Sequence, residues 1–282
     1  MISEEFLHDL EAFSLIVRKR ITSKYSGSRS SFEPGRGLTL KEYRPYTPGD
    51  DVRSIDWKVF ARSDELFVKI FEEDRDLTVH VIVDASRSMD YGASLSKFSY
   101  ASMVAAGYLF LAMRGNERFR FSFMRDDLEI HPLRRGRNHF ATYVNEANGL
   151  EPKGALGLRS AIENYLPLLR SKSLVIVVSD FLFDSEDLEY ALGQLAKHDV
   201  QLVRVLDSDE RSLPLEGDYR LTDLESGTKL RTFISPASRQ AYLDRLEAHT
   251  HALSDLSSSL GFGFFDVTTS EPIFDAFYRI IR

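Results

Sequence analysis

Three apolar runs that each stop at an aspartate constrain this chain more than any other feature. Val79 to Val83 run into Asp84, Leu174 to Val178 reach Asp180 through Ser179, and Val200 to Leu206 end at Asp207. Runs this short and this rich in β-branched residues suit strands buried on both faces. Helical patterns separate them: an apolar stretch over 97–114, a stripe of Leu158, Ile162, Tyr165, Leu166 and Leu169 within 156–170, and an amphipathic stretch over 186–198. Strand and helix in alternation predict an α/β fold, a Rossmann-like open, mostly parallel sheet with helices on both faces. Ligands meet such sheets at the carboxyl ends of the strands, where the strand order reverses.

The rest of the chain is arranged around that unit. Residues 3–21 carry Phe6, Leu10, Phe13, Ile16 and Val17 at helical spacing, with Ser3 as the cap. A polar loop over 23–37 follows, then strands over 38–46 and 66–71 on either side of the turn signal Pro48-Gly49-Asp50-Asp51. The division expected is 1–76, an N-terminal helix and small β-rich segment, and 77–282, the main domain. Within the latter, 118–124 and 128–131 predict an edge hairpin, 139–148 a helix, and 217–233 an inserted hairpin. A helix over 235–256, a strand over 261–267 and a helix over 272–281 close the chain. The stretch 49–62 holds three acids, three bases and the only tryptophan, Trp57. It reads either as an ion-paired turn or as a docking surface.

Composition removes several function classes. The formal net charge of −7 argues against a general nucleic-acid binder. The basic patch Arg134, Arg135, Arg137 has no interleaved aromatics, and it reads as a solvated loop or as a contact for an acidic partner. There are no cysteines, which excludes disulfides, thiolate catalysis and cysteine zinc sites. The N-terminus Met1-Ile2-Ser3-Glu4-Glu5 is acidic and unlike a secretory signal. The most apolar run, 101–113, is shorter than the ~20 residues a membrane span needs. A cytoplasmic protein with no membrane span is expected. His249 and His251 are two apart on a helix and do not make a metal pair.

The first of the three aspartates opens the motif Asp84-x-Ser86-x-Ser88, one carboxylate and two hydroxyls within five residues. These are hard oxygen donors, suited to Mg²⁺ or Mn²⁺. If the strands ending at Asp84 and Asp180 are neighbours, both carboxylates meet over one crevice, and Asp84, Ser86, Ser88 and Asp180 form the candidate metal site. An open coordination position would then take an Asp or Glu of a partner. The alternative is that the serines cap the next turn and Asp84 holds the loop. A metal-dependent, phosphatase-like hydrolase using Asp84 and Asp180 is a weaker fit. Residue 86 is serine where an acid–base carboxylate would be wanted, and no G-x-S-x-G elbow surrounds Ser86.

Val83-Asp84-Ala85-Ser86-Arg87-Ser88-Met89 resembles the metal-ion-dependent adhesion motif of von Willebrand factor A domains. Gly49-Asp50-Asp51-Val52-Arg53-Ser54-Ile55-Asp56-Trp57 with Ala61-Arg62 resembles the signature of the bacterial domain-of-unknown-function 58 family. The resemblance runs from Leu38 to Asp180 and continues more weakly through Asp223-Leu224-Glu225-Ser226-Gly227. It implies a von Willebrand factor A-like domain preceded by a small β-rich segment. It further implies a non-enzymatic adaptor for a MoxR-type AAA+ ATPase, acting in assembly, maturation or chaperoning and gripping a client through the metal. The ATPase must be another chain, because no G-x-x-x-x-G-K-[ST] occurs here. One departure concerns the metal. These domains contribute a threonine from the loop before the helix that corresponds to 156–170, and here that loop reads Pro152-Lys153-Gly154-Ala155-Leu156-Gly157. A metal held without it would be weak, and a degenerate, metal-free scaffold is the other outcome.

Overall fold

The computed structural model describes residues 2–14, 39–72, 77–92, 95–155, 157–222 and 228–281. The chain divides into two compact units, Met1–Ser14 with Leu77–Arg282, and Leu15–Asp76. The expected polar loop over 23–37 and the tip of the expected hairpin around 217–233 lie outside the described residues.

Helix α1 (4–14) begins where Ser3 Oγ accepts the Phe6 amide at 3.1 Å. Its described turns belong to the larger unit rather than to the small segment expected from sequence. Phe6 stacks on Phe274 with centroids 5.5 Å apart, and Phe13 packs on Phe274 and Phe277. Asn148 accepts from and donates to the backbone of Ile2, both at 2.8 Å.

The smaller unit is a two-stranded antiparallel ribbon, β1 (Thr39–Pro45) with β2 (Phe67–Glu72), and the short helix α2 (Trp57–Ser63) between them. Asp56 caps α2, accepting from the amides of Lys58 and Val59. It also receives Tyr43 Oη at 3.0 Å and pairs with Lys69 at 3.3 Å. Arg44 pairs with Asp50 at 2.7 Å. The acids of this segment thus hold its own turns in place, while Trp57 stands 59% exposed.

The larger unit is built on a six-stranded sheet. In chain order its elements are β3 (Thr78–Asp84), α3 (Lys97–Arg114), β4 (Arg118–Met124), β5 (Leu128–Ile130), α4 (Arg137–Gly149), α5 (Leu158–Tyr165), β6 (Leu174–Ser179), α6 (Ser185–Gln194), β7 (Asp199–Leu206), α7 (Ser208–Ser212), the antiparallel ribbon β8 (Gly217–Thr222) and β9 (Lys229–Ile234), α8 (Pro236–Ser259), β10 (Gly263–Thr268) and α9 (Ile273–Ile281). The strand order is β10-β7-β6-β3-β4-β5. All neighbours are parallel except the edge strand β5, which pairs antiparallel with β4 as the hairpin predicted. The helix expected over 156–170 is shorter, because Pro167 turns its end into a 3₁₀ segment, Leu166–Leu168. The helix expected over 186–198 ends at Gln194.

Residues of the central strands are buried on both faces, and alternate side chains enter two cores. Ile82, Val175, Val177 and Leu202 pack with Leu158, Ile162, Tyr165, Leu188, Leu192 and Leu253 of α5, α6 and α8. On the opposite face α3 is buried over most of its surface, as its composition predicts. Gly107 allows this, because a Cβ there would strike the Phe277 ring of α9. Among the described residues, no helix is long and apolar enough to cross a membrane.

Candidate functional site

From β3 the chain runs outward through β4 to β5, and from β6 outward the other way through β7 to β10. The order reverses between β3 and β6, and the loops after Asp84 and after Ser179 flank that point. Asp84 and Asp180, 1% and 3% exposed, therefore share one crevice, as do Ser86 and Ser88. All residues expected at the site come together.

Their contacts form a chain. Asp84 Oδ1 accepts the Ser86 amide at 2.9 Å, and its Oδ2 accepts the Ser179 hydroxyl at 2.5 Å. Ser86 Oγ and Ser88 Oγ are 3.1 Å apart, and Ser88 Oγ donates to Asp180 Oδ2 at 3.0 Å. Asp180 Oδ1 accepts the Leu182 amide at 3.2 Å. The stretch 152–155 closes one side, with the Lys153 amide donating to Ala85 O at 2.9 Å and the Arg87 amide to Gly154 O at 3.0 Å. Gly154 has φ +78°, and a side chain there would collide with Asp126.

Sequence reasoning missed the third charged group. Lys97, the first residue of α3, is fully buried. Its Nζ donates to Asp180 Oδ2 at 2.9 Å and to Glu210 Oε1 at 2.7 Å. Glu210 Oε2 accepts the Asp207 amide at 2.9 Å, completing the capping box of α7. Asp207, the third strand-end aspartate, is engaged in that cap and accepts from Thr269 Oγ1 at 2.6 Å. Two signals were available in the sequence. Lys97 puts a cation at the positive end of a helix, and Asp207-Ser208-Asp209-Glu210 spells the box.

Burial pushes the Lys97 ammonium down, but Asp180 and Glu210 outweigh it and hold the group above the usual lysine range. Burial first and the Asp180 charge second push Asp84 up to about 6, against hydrogen bonds from Ser179 and Ser86. Between Asp180 and Leu182 the backbone is strained, since Phe181 is buried at φ +53°. Its carbonyl is held by His249 Nε2 of α8 at 2.8 Å. Beside the crevice Leu182 is 50% and Tyr91 38% exposed.

A divalent ion held by this chain would have to share oxygens that the fold already uses, one of them with a fixed ammonium. Each carboxylate oxygen of Asp84 and Asp180 already takes a protein donor, and one takes an ammonium. Positions 152–155 and 157 supply no threonine. Among the described residues no three His, Cys, Asp or Glu side chains converge as a metal-holding group.

The uncharacterized protein Rv1480 of Mycobacterium tuberculosis is 31% identical over 246 residues, 85% of this chain and 77% of that protein. The uncharacterized protein YeaD of Bacillus subtilis is 24% identical over 130 residues, 46% of this chain and 31% of that protein. Among solved structures, the conserved hypothetical protein BatB of Bacteroides thetaiotaomicron is 16% identical, covers 73% of this chain and 95% of its own, and has a TM-score of 0.46. The von Willebrand factor domain of the type V pili tip protein Mfa5 of Porphyromonas gingivalis is 14% identical, covers 73% and 93%, and has a TM-score of 0.38. The strand order, the antiparallel edge strand and the Asp84-x-Ser86-x-Ser88 loop make the larger unit a von Willebrand factor A-like α/β domain. The family described as "Protein of unknown function DUF58" matches residues 42–252, and this chain belongs to it.

Proposed function

We propose that this chain is a non-enzymatic protein-interaction module that meets its partner with the crevice face between β3 and β6. The observation that carries this reading is the state of the polar groups there. Among the described residues no histidine is hydrogen-bonded to Ser86 or Ser88, whose hydroxyls contact each other, with Ser88 also on Asp180. Both Asp84 oxygens are engaged as acceptors. A nucleophile needs a base within hydrogen-bond reach, and these serines have only carboxylates that the fold already uses. By contrast, Leu182 and Tyr91 present large apolar surface beside the polar centre. An apolar side chain next to shielded polar groups suits protein association.

The partner we propose is an AAA+ ATPase of MoxR type, with this chain as its adaptor. The family resemblance supports that partner, and the ATPase would be a separate chain, since no G-x-x-x-x-G-K-[ST] occurs in this one. The test is capture of a purified MoxR-type ATPase by the full chain and by Leu182→Asp. Leu182 is half exposed, so the substitution should move stability by no more than about 0.5 kcal/mol. Capture by the wild type and its loss in Leu182→Asp are expected. Equal capture by both would remove this face from the interface. Phosphatase or esterase turnover with Mg²⁺ or Mn²⁺ that disappears in Asp84→Ala would overturn the non-enzymatic reading.

A further inference from the structure

We infer that Lys97 is the resident cation of the crevice: its tethered ammonium stands in for a divalent ion, and the face keeps its geometry without metal. This concerns the crevice's own charges and holds whether or not the face meets an ATPase.

Placement is the first support. The first turn of an 18-residue helix is the worst position on that helix for a cation. Burial removes its hydration as well. The fold keeps a lysine there, with no exposed surface, and directs it at two carboxylates from different elements. An apolar residue would serve packing better. The position is accounted for by charge.

Connection is the second. Lys97 Nζ and Ser88 Oγ bind the same atom, Asp180 Oδ2, and Ser88 Oγ contacts Ser86 Oγ. The ammonium is thus joined through one oxygen to both motif hydroxyls. A divalent ion bound to that oxygen would share it with a positive group that cannot leave, because Glu210 holds it from the other side at 2.7 Å. Two cations on one oxygen repel strongly in a site shielded from water. The absent threonine points the same way and is independent of the lysine: one oxygen fewer is offered, and one charge more is built in.

The test uses the full chain and the metals themselves. Wild type, Lys97→Gln and Lys97→Arg are titrated with Mg²⁺ and with Mn²⁺ by calorimetry, and their thermal unfolding is followed with EDTA and with millimolar metal. Wild type and Lys97→Arg should give no saturable heat and a Tm unchanged by metal or chelator. Lys97→Gln, relieved of the fixed charge, should give a saturable heat where wild type gives none, a gain of at least about tenfold in affinity over the limit that the wild-type titration sets. Its Tm should rise with metal. If Lys97→Gln does not fold, a nitrogen-detected spectrum of the wild-type lysine ammonium groups decides. A slowly exchanging Lys97 signal that Mg²⁺ does not shift supports the assignment. A Lys97 signal that Mg²⁺ shifts overturns it, as does saturable wild-type binding that Asp180→Asn abolishes.

Discussion

Arg204 and Lys97 are both buried cations of the larger unit, and they are held in different ways. Arg204 lies on β7 directly opposite Asp266 of β10 in the strand register. Its fork meets both Asp266 oxygens, at 3.0 and 2.7 Å, and it reaches Thr250 of α8 at 2.8 Å. Arg211 adds a second pair to the same carboxylate. Burial works to raise the Asp266 carboxyl, but the hydrogen bonds and charge of Arg204, with Arg211, hold it below the usual range. This is a fastener between neighbouring strands. Lys97 joins no register neighbours. It ties the start of α3 to the loop after β6 and to α7, beside two hydroxyls. The Arg204 fork sets two parallel donors on one carboxylate and shares one of them with Thr250, whereas the Lys97 ammonium divides between the loop after β6 and α7. The first arrangement serves the sheet and the second shapes a surface.

The largest effect should come from breaking the second arrangement. Lys97→Met strands Asp180 beside Asp84 without a counter-charge and should cost about 3–5 kcal/mol in urea unfolding at neutral pH. Arg204→Lys keeps the charge but loses the fork, while Arg211 still neutralises Asp266. A loss of about 1.5–3 kcal/mol is expected in the same measurement. A cost equal to that of Lys97→Met would erase the distinction.

A third buried basic group sharpens the contrast from below. His80 sits inside β3 with its Nδ1 2.8 Å from Tyr165 Oη. Burial first and Arg120 second lower it to about 3 from an ordinary 6.5. The unfolded chain therefore binds a proton on this group between those values while the folded chain does not. The contribution of His80 to stability should be constant above pH 6.5 and fall by about 1.4 kcal/mol for each unit of acidification below it, while Asp84, raised to about 6, contributes the opposite slope below that pH. His80→Gln, which retains a partner for Tyr165, should remove that contribution, so the stability difference between wild type and variant should change by about that slope below pH 6.5. An unchanged slope would show that other groups carry it.

Much of the fold was legible because burial writes itself into composition. The three aspartate-tipped runs became the adjacent strands β3, β6 and β7, and α3 begins and ends where its apolar run does. Asp84, Ser86, Ser88 and Asp180 converge because the alternation of strands and helices places β3 beside β6. Lys97 was not legible in the same way, since a lysine at a helix start reads as a solvent-facing residue. Its partner Glu210 lies 113 residues away, and such pairings carry no local pattern. Arg204 left a trace, a charge inside the apolar run Leu202-Val203-Arg204-Val205-Leu206. The inward turn of Phe181 left none, because backbone strain at a bulky residue is set by tertiary contacts.

That inward turn has a consequence for association. Because Phe181 is anchored in the core and its carbonyl is fastened to α8, the neighbouring Leu182 is presented on a backbone that is already fixed. A surface rigid before contact loses little conformational entropy on contact. Its encounters would follow the kinetics of rigid-body docking, with the association rate governed by orientation and the complex lifetime by the fit around one leucine.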